Sequence, residues 1–355
     1  MIRGARVAAG ATGVAALAYL GALAWARRPG PDFVPEADLE EIIDSWFSEF
    51  EVPVRHRYIG TSAGRIHCLD LGDPDGAPLL FIPGLGTAAA GYYRLLAELG
   101  RRRRVIGVDR PGTGLSDGVR FRGHPRRSWV AMVGELAAAL DLGRFDVCGH
   151  SLGGFVAGAF AVERPELVRS VVLLSPVGIA SRHPWSWAPS LVPGMMDILA
   201  AVERGVERHG LDGVDGLGLG PLRIGPDRDH FHARSSSRFP ADSDLATLPR
   251  LVRLRTLRPE SSLLPELGLL SGRVLIVWGD RDREVPLEPV RRELRAYPGL
   301  ELEVATGGDH LFPFDRALWT AQLVTGWLDG PEGGAESLAP VGEGAAAAGR
   351  ISGRV

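Results

Sequence analysis

Short runs of apolar residues alternate along the chain with stretches in which apolar residues recur every three or four positions. A run of four to eight apolar residues is typical of a buried strand, and the wider spacing is typical of an amphipathic helix. Strands of a parallel sheet read as continuous apolar runs because helices cover both of its faces. The alternation therefore predicts an α/β fold with a mostly parallel sheet covered by helices.

Eight strands are predicted, at residues 53–59, 65–71, Pro78–Ile82, Val105–Val108, 144–148, Val171–Leu174, Val274–Trp278 and Glu301–Ala305. Helices are predicted over residues 36–50, 88–99, 127–140, 152–163, 287–296 and 315–328. The first two strands follow each other without a helix. We therefore expect them to form an antiparallel hairpin at one edge of an eight-stranded sheet.

Residues 176–270 interrupt this alternation and are too many for a loop in a compact domain. We interpret about residues 177–270 as a mostly helical cap subdomain inserted into the α/β domain. Apolar side chains of this cap either line a substrate pocket or pack the core of the cap itself. The pocket candidates are Trp185, Trp187, Met195 and Met196.

The two ends of the chain differ from this body. Residues 7–26 carry no charge, and such an apolar segment is typical of a membrane anchor or of a cleaved export signal. We assign residues 1–28 to this segment and predict a membrane-anchored or exported protein rather than a cytoplasmic one. Any membrane association would occur through residues 7–26. Residues 29–35 are predicted as a Pro-rich spacer, residues 36–329 as the folded domain, and residues 330–355 as a disordered tail.

Composition excludes several classes of function. The formal net charge is −3, so no basic excess is available to bind nucleic acid. All 40 basic residues are arginine, which excludes a Schiff-base or P-loop lysine. Cys68 and Cys148 are too few for a disulfide framework and are predicted as core thiols. The run Arg101–Arg104 precedes a strand and is interpreted as a solvated loop rather than a patch for anionic lipid.

Metal chemistry has two candidates in the sequence. The first is Asp109 with Asp117, but the Pro-Gly-x-Gly run between them is better explained as a tight turn. The second is the H-x-H pair of His230 and His232. The pair lacks a third ligand at a known spacing, so we interpret both residues as solvated loop histidines. The sequence therefore predicts neither a metal site nor a cofactor.

The strongest chemical signal is the segment VCGHSLGG at residues 147–154. Gly149, Ser151 and Gly153 form the pattern G-x-S-x-G between a predicted strand and a predicted helix. This pattern in this context is typical of the nucleophile elbow, a sharp turn that holds a serine hydroxyl clear of the backbone. The two glycines allow neighbouring backbone to approach without a Cβ clash. Ser151 is therefore the candidate nucleophile.

Four further segments accompany the elbow: FIPGLGT at 81–87, VDRPGTGLSD at 108–117, VWGDRDREVP at 277–286 and GGDHLFPF at 307–314. With them, about residues 50–329 resemble the cap-bearing α/β-hydrolases, which include esterases, lipases and C–C hydrolases. The first of these segments, residues 81–87, sits where the family has its oxyanion loop. The chain departs from the family there at Pro83, where a histidine is common before the glycine.

The resemblance implies three catalytic residues in the chain order of the family. Ser151 would attack the substrate, His310 would take its proton, and a carboxylate would orient the imidazole. The acid is Asp282 or Asp280, and the family places it three residues after a glycine, here Gly279, which favours Asp282.

The resemblance also implies an oxyanion hole, formed by the backbone N–H groups of Leu85 and Leu152. His150, beside the nucleophile, is interpreted as a structural residue because its side chain is expected to point away from the pocket.

These expectations describe a serine hydrolase that cleaves a carboxylic ester of a small to medium apolar molecule. The same three residues also serve a C–C bond hydrolase or a cofactor-free haloperoxidase-like enzyme, so fold analogy does not choose between them. An acyltransferase and a non-catalytic ligand-binding protein on this fold are further alternatives. In every case the predicted partner is a small molecule.

Overall fold

The computed structural model describes residues 36–118, 123–179, 262–270, 273–330 and 349–350 of the chain. Within this part of the chain, no helix is both long enough and apolar enough to cross a bilayer. Residues 1–35 and most of the predicted cap and tail lie outside the described residues, as do several predicted site residues: Trp185, Trp187, Met195, Met196, His230 and His232.

Nine strands in the described ranges form one sheet. They are β1 (Val54–Thr61), β2 (Gly64–Leu71), β3 (Pro78–Ile82), β4 (Arg104–Val108), β5 (Phe145–His150), β6 (Val168–Leu174), β7 (Val274–Gly279), β8 (Glu301–Ala305) and β9 (Gly349–Arg350). Their order across the sheet is β1-β2-β4-β3-β5-β6-β7-β8-β9.

Strand directions agree with the prediction. β1 and β2 form an antiparallel edge hairpin, and β2 also pairs antiparallel with β4. Strands β3 to β8 pair in parallel with one another. The eight predicted strands and the mostly parallel α/β sheet with its antiparallel edge hairpin are therefore confirmed. In addition, the two residues of β9, within the segment predicted as a disordered tail, pair antiparallel with β8.

The helices of the described residues are α1 (Glu36–Ser48), α2 (Tyr93–Gly100), α3 (Pro125–Ala139), α4 (Leu152–Glu163), α5 (Leu264–Leu267), α6 (Leu287–Leu294), α7 (Phe312–Asp315) and α8 (Ala317–Leu328). The helix predicted at 88–99 is a 3-10 turn, Ala89–Tyr92, followed by α2. The helix predicted at 315–328 begins earlier and divides into α7 and α8 at Arg316, whose backbone (φ −125°, ψ 41°) leaves the helical region.

Each face of the sheet carries its own core. In β7, Trp278 packs in one core and its neighbour Val277 packs in the other, as the alternation of side chains along a strand requires. Helices α3 and α4 cover the first core, and α1, α2 and α8 cover the second. Cys68 and Cys148 are free and buried in these cores, which confirms their prediction as core thiols.

Arg103 corrects one sequence interpretation. The run Arg101–Arg104 was expected to be a solvated loop, but Arg103 is only 4% exposed. Its guanidinium lies 2.7 Å from a carboxylate oxygen of Asp146 in β5 and also pairs with Asp329, just after α8. The prediction of a solvated loop is therefore wrong for Arg103. The local sequence could not indicate this burial, because both partners of Arg103 come from distant parts of the chain.

Candidate active site

Ser151 occupies the turn between β5 and α4, at the carboxyl edge of the parallel strands. Its backbone has φ 52° and ψ −116°, a conformation that residues with a Cβ rarely adopt. The Ser151 N–H donates to the Leu174 carbonyl at 2.9 Å, and the Ser151 carbonyl accepts from the Val177 N–H at 3.1 Å. The strained turn is thus held by Leu174 at the end of β6 and by Val177, which follows β6. This is the strand–turn–helix context that the G-x-S-x-G pattern predicts.

The glycines of the pattern are required by close backbone contacts. A Cβ on Gly149 would overlap with the backbone of Gly153, and a Cβ on Gly153 would overlap with the Ile82 carbonyl oxygen. The loop that follows β3 therefore lies directly against the elbow. In that loop, a Cβ on Gly84 would stand 3.4 Å from the Cβ of Ser151.

The two residues predicted to supply the oxyanion hole lie on these two segments. Leu152 is the first residue of α4, where a backbone N–H has no acceptor within its own helix. Leu85 follows Gly84 in the loop after β3. Leu152 therefore follows the candidate nucleophile directly, and Leu85 follows the glycine that packs against it. Their role as a pair of oxyanion donors stays a prediction.

Asp282 and His310 come together from the ends of two neighbouring strands, β7 and β8. The Oδ2 of Asp282 lies 2.7 Å from Nδ1 of His310, and both residues are buried. The Oδ1 of Asp282 accepts the N–H groups of Glu284 at 2.9 Å and Val285 at 2.8 Å. Since a carboxylate only accepts, Nδ1 of His310 carries a hydrogen, and Nε2 is the nitrogen that is free to accept a proton.

Asp280, the alternative acid, has a different role in the structure. Its Oδ1 accepts the Gly307 N–H at 2.6 Å, which ties the turn after β7 to the turn after β8. This bond makes Asp280 a turn-stabilising carboxylate and leaves Asp282 as the residue that contacts His310.

A second carboxylate, missed in the sequence, approaches the other nitrogen of His310. The Oε2 of Glu284 lies 3.6 Å from Nε2 of His310. Burial lowers the pKa of His310, but the Asp282 hydrogen bond and the negative charges of Glu284, Asp282 and Asp309 outweigh it and raise this pKa above its ordinary value of 6.5. The site therefore stabilises the imidazolium more than water does, and a histidine that accepts a proton passes through that form.

His150 and Tyr92 join the oxyanion loop to the loop of His310. The Gly84 N–H donates to the Tyr92 hydroxyl oxygen at 3.1 Å, and that oxygen lies 2.6 Å from Nδ1 of His150. On its other side, Nε2 of His150 lies 2.8 Å from the backbone oxygen of His310. These contacts agree with the structural role expected for His150. They also connect His150, the residue before Ser151, to the backbone of His310, the candidate base.

Three further residues beside the candidate site were not predicted from the sequence: Tyr92, Glu284 and Arg110. The Arg110 side chain donates hydrogen bonds to the Pro83 and Gly84 carbonyl oxygens. Glu284 and Arg110 stand inside the acid segment and the D-x-P-G turn that the resemblance uses, so their positions were the available signal. Tyr92 lies in a predicted helix and gives no such signal. Within the described ranges, no group of three or more His, Cys, Asp or Glu side chains is placed to hold a metal ion.

The elbow serine and the Asp–His pair both lie at the carboxyl edge of the α/β sheet, as the candidate site of a hydrolase requires. Residues 79–323 match the model of the alpha/beta hydrolase family, and the chain belongs to that family.

Relatives within the family differ in chemistry. A 2-hydroxy-6-oxo-2,4-heptadienoate hydrolase of Pseudomonas putida is 30% identical over 265 residues, which cover 71% of this chain and 89% of the relative. A carboxylesterase of Bacillus subtilis has a similar structure, with a TM-score of 0.61 at 19% identity, covering 83% of this chain and 98% of its own. A meta-cleavage product hydrolase of Pseudomonas fluorescens has a TM-score of 0.57 at 21% identity, covering 76% and 95%. The two structures show the shared fold.

Proposed function

We propose that this hydrolase cleaves a carboxylic ester of a small to medium apolar molecule through an acyl-enzyme on Ser151. Two observations support the proposal: the buried Asp282–His310 pair and the strained elbow backbone of Ser151, whose neighbour His150 contacts the His310 backbone oxygen. A serine hydroxyl is a weak nucleophile until a base takes its proton, and a carboxylate-oriented imidazole is suited to that task. The nearly balanced net charge of −3 suits a substrate of low charge.

In the proposed mechanism, Ser151 Oγ attacks the ester carbonyl carbon while Nε2 of His310 accepts the hydroxyl proton. The negative charge that forms on the carbonyl oxygen is held by the N–H groups of Leu85 and Leu152. Asp282 stabilises the imidazolium. The C–O bond to the alcohol then breaks, and His310 returns the proton to the leaving alcohol. Water repeats these steps on the acyl-enzyme and releases the acid.

A C–C bond hydrolase is the second candidate, because a relative at 30% identity carries the name 2-hydroxy-6-oxo-2,4-heptadienoate hydrolase. The same three side chains would serve that reaction, so the site residues do not separate the two. What separates them is the substrate, which in this second case bears a carboxylate.

Labelling with a fluorophosphonate probe tests the shared part of the proposal. We expect the probe to modify Ser151, identified by peptide mass spectrometry, and the Ser151→Ala variant to stay unlabelled. A folded wild-type sample without label at Ser151 contradicts both candidates. A non-catalytic binding protein would also bind its ligand equally well with Ser151→Ala and turn nothing over.

Turnover then separates the two chemistries. The panel consists of p-nitrophenyl esters of two to twelve acyl carbons and one vinylogous diketone acid. Ester turnover that exceeds diketone turnover, and that is lost in Ser151→Ala, supports the ester hydrolase. Diketone cleavage with negligible ester turnover instead supports the C–C hydrolase.

We also propose that residues of about 177–270 form the cap over this site and that residues 7–26 direct the protein to a membrane or for export. Fractionation of cells that express the full chain, compared with a chain that begins at residue 29, tests the second point. Recovery of both chains in the same soluble cytoplasmic fraction would contradict it.

A further inference from the structure

Arg110 is a fully buried cation whose side chain points at the oxyanion loop. It lies in the turn after β4 and is 0% exposed. Its Nε donates to the Pro83 carbonyl oxygen at 3.1 Å, and its Nη2 donates to the Gly84 carbonyl oxygen. Burying a charge is costly, and hydrogen bonds to the charged group offset that cost. Here two of those bonds go to the two residues that immediately precede Leu85.

The bond to Gly84 fixes the direction of the Leu85 N–H. The carbonyl of Gly84 and the N–H of Leu85 belong to the same peptide unit, and no peptide bond in the described ranges is cis. In a planar trans peptide these two groups point in opposite directions. A guanidinium that holds the Gly84 carbonyl on one side therefore points the Leu85 N–H to the opposite side.

The charge of Arg110 also acts on the strength of this donor. A cation bonded to a carbonyl oxygen draws electron density from the peptide and makes its N–H a better donor, since hydrogen bonds in a chain polarise one another. The peptide before it is held as well, because the Gly84 N–H donates to Tyr92 at 3.1 Å. The loop is thus fixed on both sides of Gly84.

The turn that presents Arg110 is itself rigid. Asp109 accepts the Ala89 N–H at 2.7 Å and the Leu115 N–H at 3.0 Å, and its Oδ2 lies 2.8 Å from Nδ1 of His67. The Thr113 hydroxyl donates to the Arg110 carbonyl at 2.8 Å. The guanidinium is therefore delivered to the loop from a fixed backbone, as precise orientation of a donor group requires.

Pro83 explains why the loop needs donors from another segment. A proline has neither a backbone N–H nor a side-chain donor, so the residue at the start of the loop cannot hold the loop by donating a hydrogen bond. In this chain the donors come from Arg110, on a different segment.

We infer that Arg110 is a positioning residue of the oxyanion loop, acting through the Pro83 and Gly84 carbonyls to aim the Leu85 N–H at the reacting carbonyl oxygen. The inference rests on the proposed function. A donor aimed at the oxyanion stabilises the transition state more than the bound substrate, so its loss lowers kcat and leaves KM nearly unchanged.

The test compares Arg110→Met and Arg110→Lys with the wild-type full chain, using p-nitrophenyl butyrate as substrate and a trifluoromethyl ketone as transition-state mimic. For Arg110→Met we expect kcat to fall about 100-fold, the loss typical of one oxyanion donor, with KM within about twofold. The inhibition constant of the ketone should rise in parallel with the loss in kcat. Arg110→Lys, which keeps a charge and a donor, should recover about tenfold of the lost kcat.

Arg103→Met is the matched control. Arg103 is also buried and also forms two polar contacts, but its partners, Asp146 and Asp329, lie away from the elbow. We expect this variant to lose thermal stability while it keeps kcat and the inhibition constant of the ketone.

Three outcomes overturn the inference. The first is a folded Arg110→Met protein with wild-type kcat and ketone inhibition. The second is an equal fall in kcat for Arg103→Met and Arg110→Met, which makes the effect one of stability. The third applies if Arg110→Met does not fold: a folded Arg110→Lys protein with unchanged kcat and ketone inhibition then assigns Arg110 to structure alone. All three leave the proposed function standing if wild-type Ser151 is labelled and turns over esters, and an unlabelled wild type ends both.

Discussion

The Nε2 of His150 lies 2.8 Å from the backbone oxygen of His310. A carbonyl oxygen only accepts, so Nε2 carries the hydrogen and donates it. With Nε2 protonated, a neutral His150 has an unprotonated Nδ1, which accepts the hydrogen of the Tyr92 hydroxyl at 2.6 Å. Burial of His150 disfavours the doubly protonated ring and keeps its pKa well below the ordinary value of 6.5. The contacts and the burial together favour a neutral His150 between the oxyanion loop and the His310 loop.

This neutral His150 predicts a loss of stability in acid. Burial, with a smaller effect of the nearby His310, holds the pKa of His150 well below its ordinary 6.5. Below pH 6.5 the unfolded chain binds a proton that the folded protein does not bind, so the contribution of His150 is present above that pH and is lost as the pH falls. The expected loss is about 1.4 kcal/mol per pH unit. Urea unfolding of wild type and His150→Gln at pH 7.5 and 5.5 measures it.

Other titrating groups affect both proteins equally, so the difference between their slopes isolates His150. We expect the wild type to lose more stability than His150→Gln between the two pH values. Parallel slopes would show that His150 is protonated in the folded protein.

Asp282 and Asp280 form a natural pair for a second prediction. Asp282 contacts Nδ1 of His310, whereas Asp280 accepts a hydrogen bond from the Gly307 N–H. Asp282→Asn should lower kcat about 10⁴-fold, because an amide no longer fixes the tautomer or stabilises the imidazolium. Asp280→Asn, the matched control, should change kcat by less than about fivefold. Steady-state kinetics on one ester measures both, and equal losses would remove the distinction between the two acids.

The strands and the elbow could be predicted because each depends on local pattern, whereas Asp282 and His310 were predicted from the resemblance of their segments to a known family. A strand covered on both faces is apolar along its length, and a serine turn needs its glycines within two residues. Arg103 and Tyr92 could not be predicted in this way. Arg103 is buried against Asp329, which lies 226 residues further along the chain. Tyr92 contacts His150, which lies 58 residues further along. Only the order of the strands brings such partners together.

Gly153 permits a third prediction, on stability. A Cβ on Gly153 would overlap with the carbonyl oxygen of Ile82, so Gly153→Ala forces the elbow and β3 apart. We expect a loss of at least about 3 kcal/mol in the free energy of unfolding, within the range of severe backbone clashes. Gly134→Ala in α3 is the control, because its Cβ meets only side-chain atoms at 3.5 Å and beyond.

Gly134→Ala should raise the free energy of unfolding by up to about 1 kcal/mol, the difference in helix propensity. Urea titration of both variants measures the pair. A Gly153→Ala protein as stable as Gly134→Ala would show that the elbow backbone can move away without cost.

Glu284 predicts the pH dependence of catalysis. Activity requires neutral His310, whose pKa the Asp282 hydrogen bond and the charges of Glu284, Asp282 and Asp309 raise despite the opposing effect of burial. Activity should therefore rise with pH through a value above 6.5. Glu284→Gln removes one of these charges and should move the acid limb of kcat/KM to lower pH, because that limb reports the free enzyme. Glu288→Gln, which changes a carboxylate paired with Arg291, should leave the limb in place.

Glu284 also predicts which substrates the site prefers. Its carboxylate lies 3.6 Å from Nε2 of His310, so a substrate that places a second carboxylate near the scissile bond brings two negative charges together. Because the Glu284 side chain is 24% exposed, solvent screens part of this repulsion, and we expect an effect of about 1 kcal/mol, or roughly fivefold. p-Nitrophenyl butyrate and the mono-p-nitrophenyl ester of succinic acid have equal chain lengths and differ in one carboxylate. The ratio of kcat/KM for butyrate over succinate should exceed one in the wild type, fall about fivefold in Glu284→Gln and stay constant in Glu288→Gln. A wild-type ratio below one would instead favour a carboxylate-bearing substrate, as the name of the heptadienoate hydrolase suggests for that relative.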